Sequence, residues 1–160
     1  MSTTEIKTDT SPADLGQLCD LSLEVVTIPV TDVDRAKDFY ASLGWRFDAD
    51  IVAGDHYRAV QFTPTHSGCS VAFGKGLTDA EPGSAQRMIL TVSDIDTARA
   101  ALEAKGIEVS EAFHLAGGRV PGRDPENRSY QTWASFSDPD GNGFLLQEIT
   151  TRLPGRVWED

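Results

Sequence analysis

One pattern stands twice in this chain. Val30-Thr31-Asp32-Val33-Asp34-Arg35-Ala36-Lys37 returns as Val92-Ser93-Asp94-Ile95-Asp96-Thr97-Ala98-Arg99, 62 positions on and without a gap, and the match continues from Gly44 to Gly106. An ungapped repeat of that length means the same supersecondary unit built twice. Two copies are fewer than the roughly three that a solenoid needs to bury a continuous core. The repeat therefore predicts one domain made of two pseudo-equivalent halves, with a site where they meet.

Each copy reads as strand, helix and further strands. Val26, Ile28 and Val30 alternate with Leu23, Val25 and Thr27, the pattern of a strand buried on both faces. Thr31-Asp32 supplies capping oxygens for a helix from about Val33 to Leu43, with Asp34 in its first turn. Val33, Ala36, Phe39, Tyr40 and Leu43 fall at helical spacing and predict the face that packs on the sheet, and Gly44 ends the helix. Strands are predicted over Trp45–Ile51, Tyr57–Thr63 and Cys69–Phe73, separated by Gly-bearing turns.

The second copy predicts a strand at Arg87–Val92 and a helix over Asp94–Lys105 ended by Gly106. A short strand follows at Ile107–Ser110, then a long loop from His114 to Arg128. A strand over Tyr130–Phe136, a turn at Asp138-Pro139-Asp140-Gly141 and a last strand over Phe144–Ile149 complete it. The expected organisation is a flexible leader over residues 1–20, a domain over 21–150 and a tail over 151–160. Within the domain, module one covers about 21–74, a linker 75–86 and module two about 87–150.

Composition bounds the partners. With 39% hydrophobic and 24% charged residues the chain is an ordinary globular protein, and 160 residues suffice for a real core. A net charge of −11 argues against nucleic acid and anionic membrane as partners. Cys19 and Cys69 form neither a metal motif nor a disulfide framework. The first residues lack a secretory signal, and no run approaches the roughly 18 apolar residues of a membrane span. These features predict a cytoplasmic protein.

The paired Asp-[Val/Ile]-Asp-x-Ala-[Lys/Arg] motifs, together with Ser137-Asp138-Pro139-Asp140-Gly141-Asn142 before the final strand, resemble the vicinal oxygen chelate superfamily. That group includes glyoxalase I, extradiol dioxygenases, methylmalonyl-CoA epimerase, fosfomycin-resistance enzymes and bleomycin-resistance proteins. The resemblance implies an α+β fold in which two βαβββ modules form an open, cup-shaped mixed sheet, the helices outside and a ligand inside. In metalloenzymes of this kind four cup-facing side chains, usually His and Glu, bind one divalent ion that polarises substrate oxygens. Two of them come from the first strands of the modules and two from the last. Homodimerisation is common among similar proteins and is expected here.

Counting along the repeat puts the first-strand ligand positions at Val25 and Arg87. Valine has no lone pair to offer, and a guanidinium stays protonated and repels a cation. On the last strands, setting Gly68 against Gly143 turns Ala72 and Gln147 to the cup; counting from Gly141 selects Leu145 instead. Glu148 has the opposite parity unless a bulge intervenes. No metal and no other cofactor is therefore expected. The expected function is binding of a small organic molecule in the cup, by sequestration or metal-independent chemistry. The residues predicted to line it are Gln61, Arg87, His114, Tyr130, Trp133 and Gln147, with Arg119, Arg123 and Arg128 on a loop able to close over a ligand. The alternatives are a metal-dependent lyase, isomerase or dioxygenase with ligands such as His114, Gln147 and Glu148, and a non-catalytic interaction module.

Overall fold

In a computed structural model, which describes Lys7 and residues 21–153, both copies of the repeat start a helix in the same way. The Asp32 carboxylate accepts from the Arg35 amide (3.0 Å) and caps α1, Val33–Ser42. Asp94 accepts from the Thr97 amide (2.8 Å) and caps α2, Ile95–Ala104. Each cap satisfies an amide that the first helical turn leaves without an intrahelical partner. Gly44 and Gly106 follow the helices at φ +76° and +78°, the left-handed conformation in which glycine ends a helix at least cost. Apart from Lys7, the expected leader, Cys19 included, and the tail beyond residue 153 lie outside the described residues.

The strands form two open mixed sheets. In the first, β1 (Val25–Thr27), β2 (Arg46–Ala53), β3 (Tyr57–Thr63) and β4 (Ser70–Lys75) lie in the order β1-β4-β3-β2. In the second, β5 (Met88–Val92), β6 (Phe113–Leu115), β7 (Arg119–Pro121), β8 (Trp133–Ser137) and β9 (Gly143–Glu148) lie in the order β5-β9-β8-β6-β7. In each module the first strand pairs parallel with the last, β1 with β4 and β5 with β9, and the other pairings are antiparallel. The fold is the α+β arrangement of two βαβββ modules, with one additional short strand in the second.

Three expectations are corrected. Ile107–Ser110 is not a strand: the Ser110 amide reaches the Ser135 carbonyl (2.9 Å), but β6, directly before the turn at 116–118, occupies that edge through the pair Phe113–Trp133. The segment from His114 to Arg128 is not one long loop, because β6 and β7 form a hairpin within it. Tyr130 does not begin a strand; its φ of +71° delays β8 to Trp133.

Alternation along the strands sorts each sheet into a covered and a bare face. Val60, Phe62, Val71 and Phe73 meet α1, whose Ala36 and Tyr40 are fully buried. The Tyr40 ring stacks on Phe73 at 5.1 Å and meets Phe144 of the second sheet at 6.2 Å, and Trp45 meets the same Phe144 at 5.8 Å. Phe144 and Leu146 lie on the covered face of the second sheet, so the covered faces of both sheets share one core. That arrangement turns the two bare faces away from each other.

Polar groups clasp the halves where they meet. The wholly buried Asn142 donates through Nδ2 to the Pro29 carbonyl (2.7 Å) and to Asp138 (2.8 Å), and its Oδ1 accepts from the Ala85 amide (3.1 Å). The Tyr40 hydroxyl donates to Asp138 (2.8 Å), and burial together with the Asp138 charge pushes its pKa far up. Asp140 accepts from the amide and hydroxyl of Thr31 and from Arg35. A buried polar group that loses its partners costs about 1–3 kcal/mol. Asn142→Ala, which leaves the Ala85 amide unsatisfied and the Pro29 carbonyl with only the Gly83 amide, is expected to lower stability by about 2 kcal/mol in urea denaturation.

Candidate functional site

The bare face of the first sheet follows from its pairing register. Val25 and Thr27 stand opposite Ser70 and Ala72, and Gln61 stands between Ala72 and Ala49. Gln61 thus lies on this face, as does Val25. A register shift between Phe47 and Ala49 brings Asp48 to the same end, where it accepts from Thr63 and from Arg46 (Nε, 2.6 Å). The Thr63 hydroxyl also lies 2.7 Å from that of Ser70, and both residues are buried. Burial raises the Asp48 pKa, but the hydrogen bonds from Thr63 and Arg46 outweigh it and hold the carboxyl below its usual range. This end of the face is a closed polar cluster, its charges already paired.

On the bare face of the second sheet Thr91, Gln147 and Trp133 lie side by side across β5, β9 and β8, and the pair Trp133–Phe113 extends the row to the hairpin. Gln147 donates through Nε2 to the Tyr130 carbonyl (3.1 Å), and the Tyr130 hydroxyl accepts from the Leu153 amide (3.0 Å). The indole Nε1 of Trp133 is enclosed and has no hydrogen-bond partner among the described residues. A buried donor without an acceptor is uncommon in a native protein. Leu115 and Arg119, opposite one another in the hairpin, share this face with Phe113. Arg119 packs its guanidinium 3.6 Å from the centre of the Phe113 ring.

The structure therefore brings Tyr130, Trp133 and Gln147 together and holds Gln61 on a different face of the molecule. His114 points to the opposite side of the hairpin from Phe113, and its Nδ1 donates to the Gly122 carbonyl (2.9 Å). Arg87 stands just before β5 at φ +61°, exposed and without an ion pair among the described residues. Phe113 and Arg119 escaped the sequence reading as members of this face. A hairpin reading of Phe113-His114-Leu115-Ala116-Gly117-Gly118-Arg119 carries the signal, since the two glycines mark its turn.

Of the three loop arginines only Arg119 faces the bare sheet. Arg123 pairs with Asp96 (2.9 Å) and with Glu148 (2.6 Å), and Arg128 with Asp124 (2.7 Å). The Asp124 carboxylate is buried, and hydrogen bonds from the side chain and amide of Arg128 lower its pKa to about 2. The segment expected to close over a ligand is tied to the body of the protein at these points.

A groove of about 470 Å³ runs beside the free edge of β5. Ile89 and Thr91 line it from the bare face, and Trp45, Leu90, Leu102 and Phe136 from the core side. Its volume lies within the range of small-molecule sites.

The chain belongs to the Glyoxalase/Bleomycin resistance protein/Dioxygenase superfamily, whose family model matches residues 22–146. Among solved structures it is similar to TnmS3, an antibiotic binding protein from Streptomyces sp. CB03234, at 28% identity and a TM-score of 0.66, over 83% of this chain and 99% of that one. A glyoxalase/bleomycin resistance protein from the same organism is 30% identical (TM-score 0.61; 79% and 100% covered). A superfamily member from Sphaerobacter thermophilus DSM 20745 is also 30% identical (TM-score 0.63; 82% and 99% covered). No curated protein matches the chain in sequence.

The divalent metal of the family's metalloenzymes does not fit the residues present. Val25 is on the bare face, and the ladders decide which last-strand positions correspond: Thr27 pairs with Ala72, and Ile89, 62 positions on, pairs with Leu145. Neither Ala72 nor Leu145 can ligate a cation. Glu148 lies on the covered face, where one oxygen accepts from the Ile95 amide at the start of α2 (2.8 Å) and the other from Arg123. Among the described residues no group of three or more His, Cys, Asp or Glu side chains is placed to hold a metal.

Glu148 thus holds a helix start and a loop arginine. Glu148→Ala is expected to lower stability by about 2–3 kcal/mol, read from chemical denaturation, because it leaves the Ile95 amide and Arg123 without their buried acceptor. An unchanged midpoint would return Glu148 to the available ligands. For Asp124, a folded pKa below the unfolded value means that its contribution is complete above about pH 4 and fades as the pH falls towards 2. Denaturation across that range is expected to show a shallower acid decline for Asp124→Asn than for the parent protein.

Proposed function

We propose that this superfamily member is a homodimer that binds a small, largely planar organic molecule without metal, in cups that each take one bare face from either copy. The observation that carries this reading is the opposed orientation of the two bare faces on one common core. Within one chain the half holding Gln61 cannot meet the half holding Trp133 and Gln147; apposing a second copy supplies the missing wall. Both faces expose apolar side chains, Val25 (36%) and Ile51 (54%) on one, Ile89 (48%) and Leu115 (51%) on the other. Exposed apolar surface of this kind marks interaction sites.

Small-molecule binding is supported by the likeness to an antibiotic binding protein at 28% identity and by the Trp133, Phe113 and Gln147 row. Flat aromatic walls with a few polar groups suit a conjugated ligand. The Val25 and Arg87 positions support a metal-free mode, so the reading is sequestration of the resistance type rather than metalloenzyme chemistry. Gln61, Arg87, His114, Tyr130, Trp133 and Gln147 remain the proposed contact set, with Gln61 contributed across the dimer. A free Cys69 is consistent with work in the cytoplasm. No helix among the described residues is long and apolar enough to cross a membrane.

Sedimentation is expected to give a particle of twice the 17.3 kDa chain at micromolar concentration. Thermal unfolding with a panel of aromatic antibiotics is expected to show a raised midpoint for at least one, equal in excess EDTA and in added Mn²⁺ or Zn²⁺. A monomer that binds nothing, or a shift that requires metal, would overturn the proposal.

A further inference from the structure

We infer that Arg119 is an anion anchor of the cup, so that the molecule bound on the second sheet's bare face is a flat, conjugated compound carrying an acidic oxygen group such as a carboxylate or phenolate. The inference rests on the cup-binding reading above and adds the chemical class of the ligand. It starts from a contrast among the arginines. Arg35, Arg46, Arg58, Arg99, Arg123 and Arg128 each pair with a carboxylate. Arg119 pairs with none among the described residues, in a chain where 25 acidic residues face 14 basic ones.

Arg119 is nevertheless held in place. Its guanidinium lies 3.6 Å from the centre of the Phe113 ring, and its Nη2 donates to the Ser135 hydroxyl (3.0 Å), with the Ser110 hydroxyl at 3.4 Å. Stacking fixes the plane of the guanidinium and the hydroxyls fix its rotation. Both supports are neutral, so the positive charge is not cancelled. Nε and Nη1 keep their N–H donors, on separate edges of the guanidinium, for charge-assisted hydrogen bonds to ligand oxygens. Arg87 is equally exposed but, among the described residues, has no ring or hydroxyl to hold it.

The surroundings point to the same ligand chemistry. Phe113 lies buried beneath Arg119, and its paired neighbour Trp133, half-buried, gives a planar molecule an aromatic surface beside the guanidinium. Gln147 Nε2 is engaged by the Tyr130 carbonyl, which leaves its Oε1 as an acceptor. The uncancelled charge of Arg119 on this face suits an oxygen-bearing anion and not a cation, even though the protein as a whole is acidic.

Naphthoate and its neutral isostere naphthamide test the inference by titration calorimetry on the full chain near neutral pH. The parent protein is expected to bind naphthoate about ten-fold more tightly than naphthamide, the advantage of charge-assisted over neutral hydrogen bonding. Arg119→Gln is expected to abolish that preference, and a cooperative thermal transition of the variant reports that it is still folded. Arg119→Lys, which keeps the charge but not the planar guanidinium, is expected to keep part of the preference. Equal binding of the two compounds by the parent protein, or a preference that survives in Arg119→Gln, would overturn the anchor and leave the cup reading standing. A parent protein that binds neither compound would overturn both.

Discussion

One buried amide holds the two halves of this molecule in their relative orientation. Asn142 reaches the carbonyl of Pro29 in module one, the amide of Ala85 in the linker and the carboxylate of Asp138 in its own turn. An amide side chain offers donors and an acceptor at once, and here all three partners belong to different segments. The Tyr40 hydroxyl adds a fourth strand to the clasp by donating to the same Asp138. Because each group is enclosed, none can exchange its partner for water without a cost comparable to the hydrogen bond itself. The aromatic contacts of Tyr40 and Trp45 with Phe144 then fill the space that the polar clasp defines.

The placement of the two bare faces follows from that junction. Joining the modules through their helix-covered faces places Tyr40 between two sheets and leaves each bare face without a cover from its own chain. Had the modules been joined through their bare faces, Ile51 and Ile89 would form core and a single chain would close its own cavity. The exposed isoleucines are therefore a consequence of where Asn142 and Tyr40 fasten the halves. The same junction explains why the residues predicted to share one pocket divide between two surfaces.

The repeat made much of the fold legible, because caps, helix faces and the ends of helices depend on local chemistry. Asp32 and Asp94 cap as expected, and Ala36 and Tyr40 are buried as helical spacing requires. The second module was less legible. Strands of three residues, such as β6 and β7, are too short for alternation to register, and the positive φ at Tyr130 and Arg87 interrupts strands that the apolar pattern would continue. Along β9, the parity expected from the sequence puts Glu148 on the covered face and Gln147 on the bare one, and the register agrees. That Asp138 to Asn142 is an inter-module clasp as well as a turn was not readable, since its partners, Pro29 and Tyr40, lie about a hundred residues away.

Duplication gave two faces of one architecture, and their chemistry has diverged in opposite directions. On the first sheet Asp48, Thr63, Ser70 and Arg46 satisfy one another, so that face presents Gln61 amid small and apolar side chains and no unpaired charge. On the second sheet the charged acceptors have been withdrawn: Glu148 and Asp124 are turned inward and bound to Arg123 and Arg128. What remains there is an aromatic row and a guanidinium held by a ring and two hydroxyls. In the proposed dimer, a cup assembled from one face of each kind would set an apolar wall with an amide against a wall carrying that guanidinium. Such a cup would fix which way round an asymmetric ligand lies, its oxygen-bearing end towards module two, with the Arg119 donors meeting the charge that a cation meets in the metalloenzymes of the same fold.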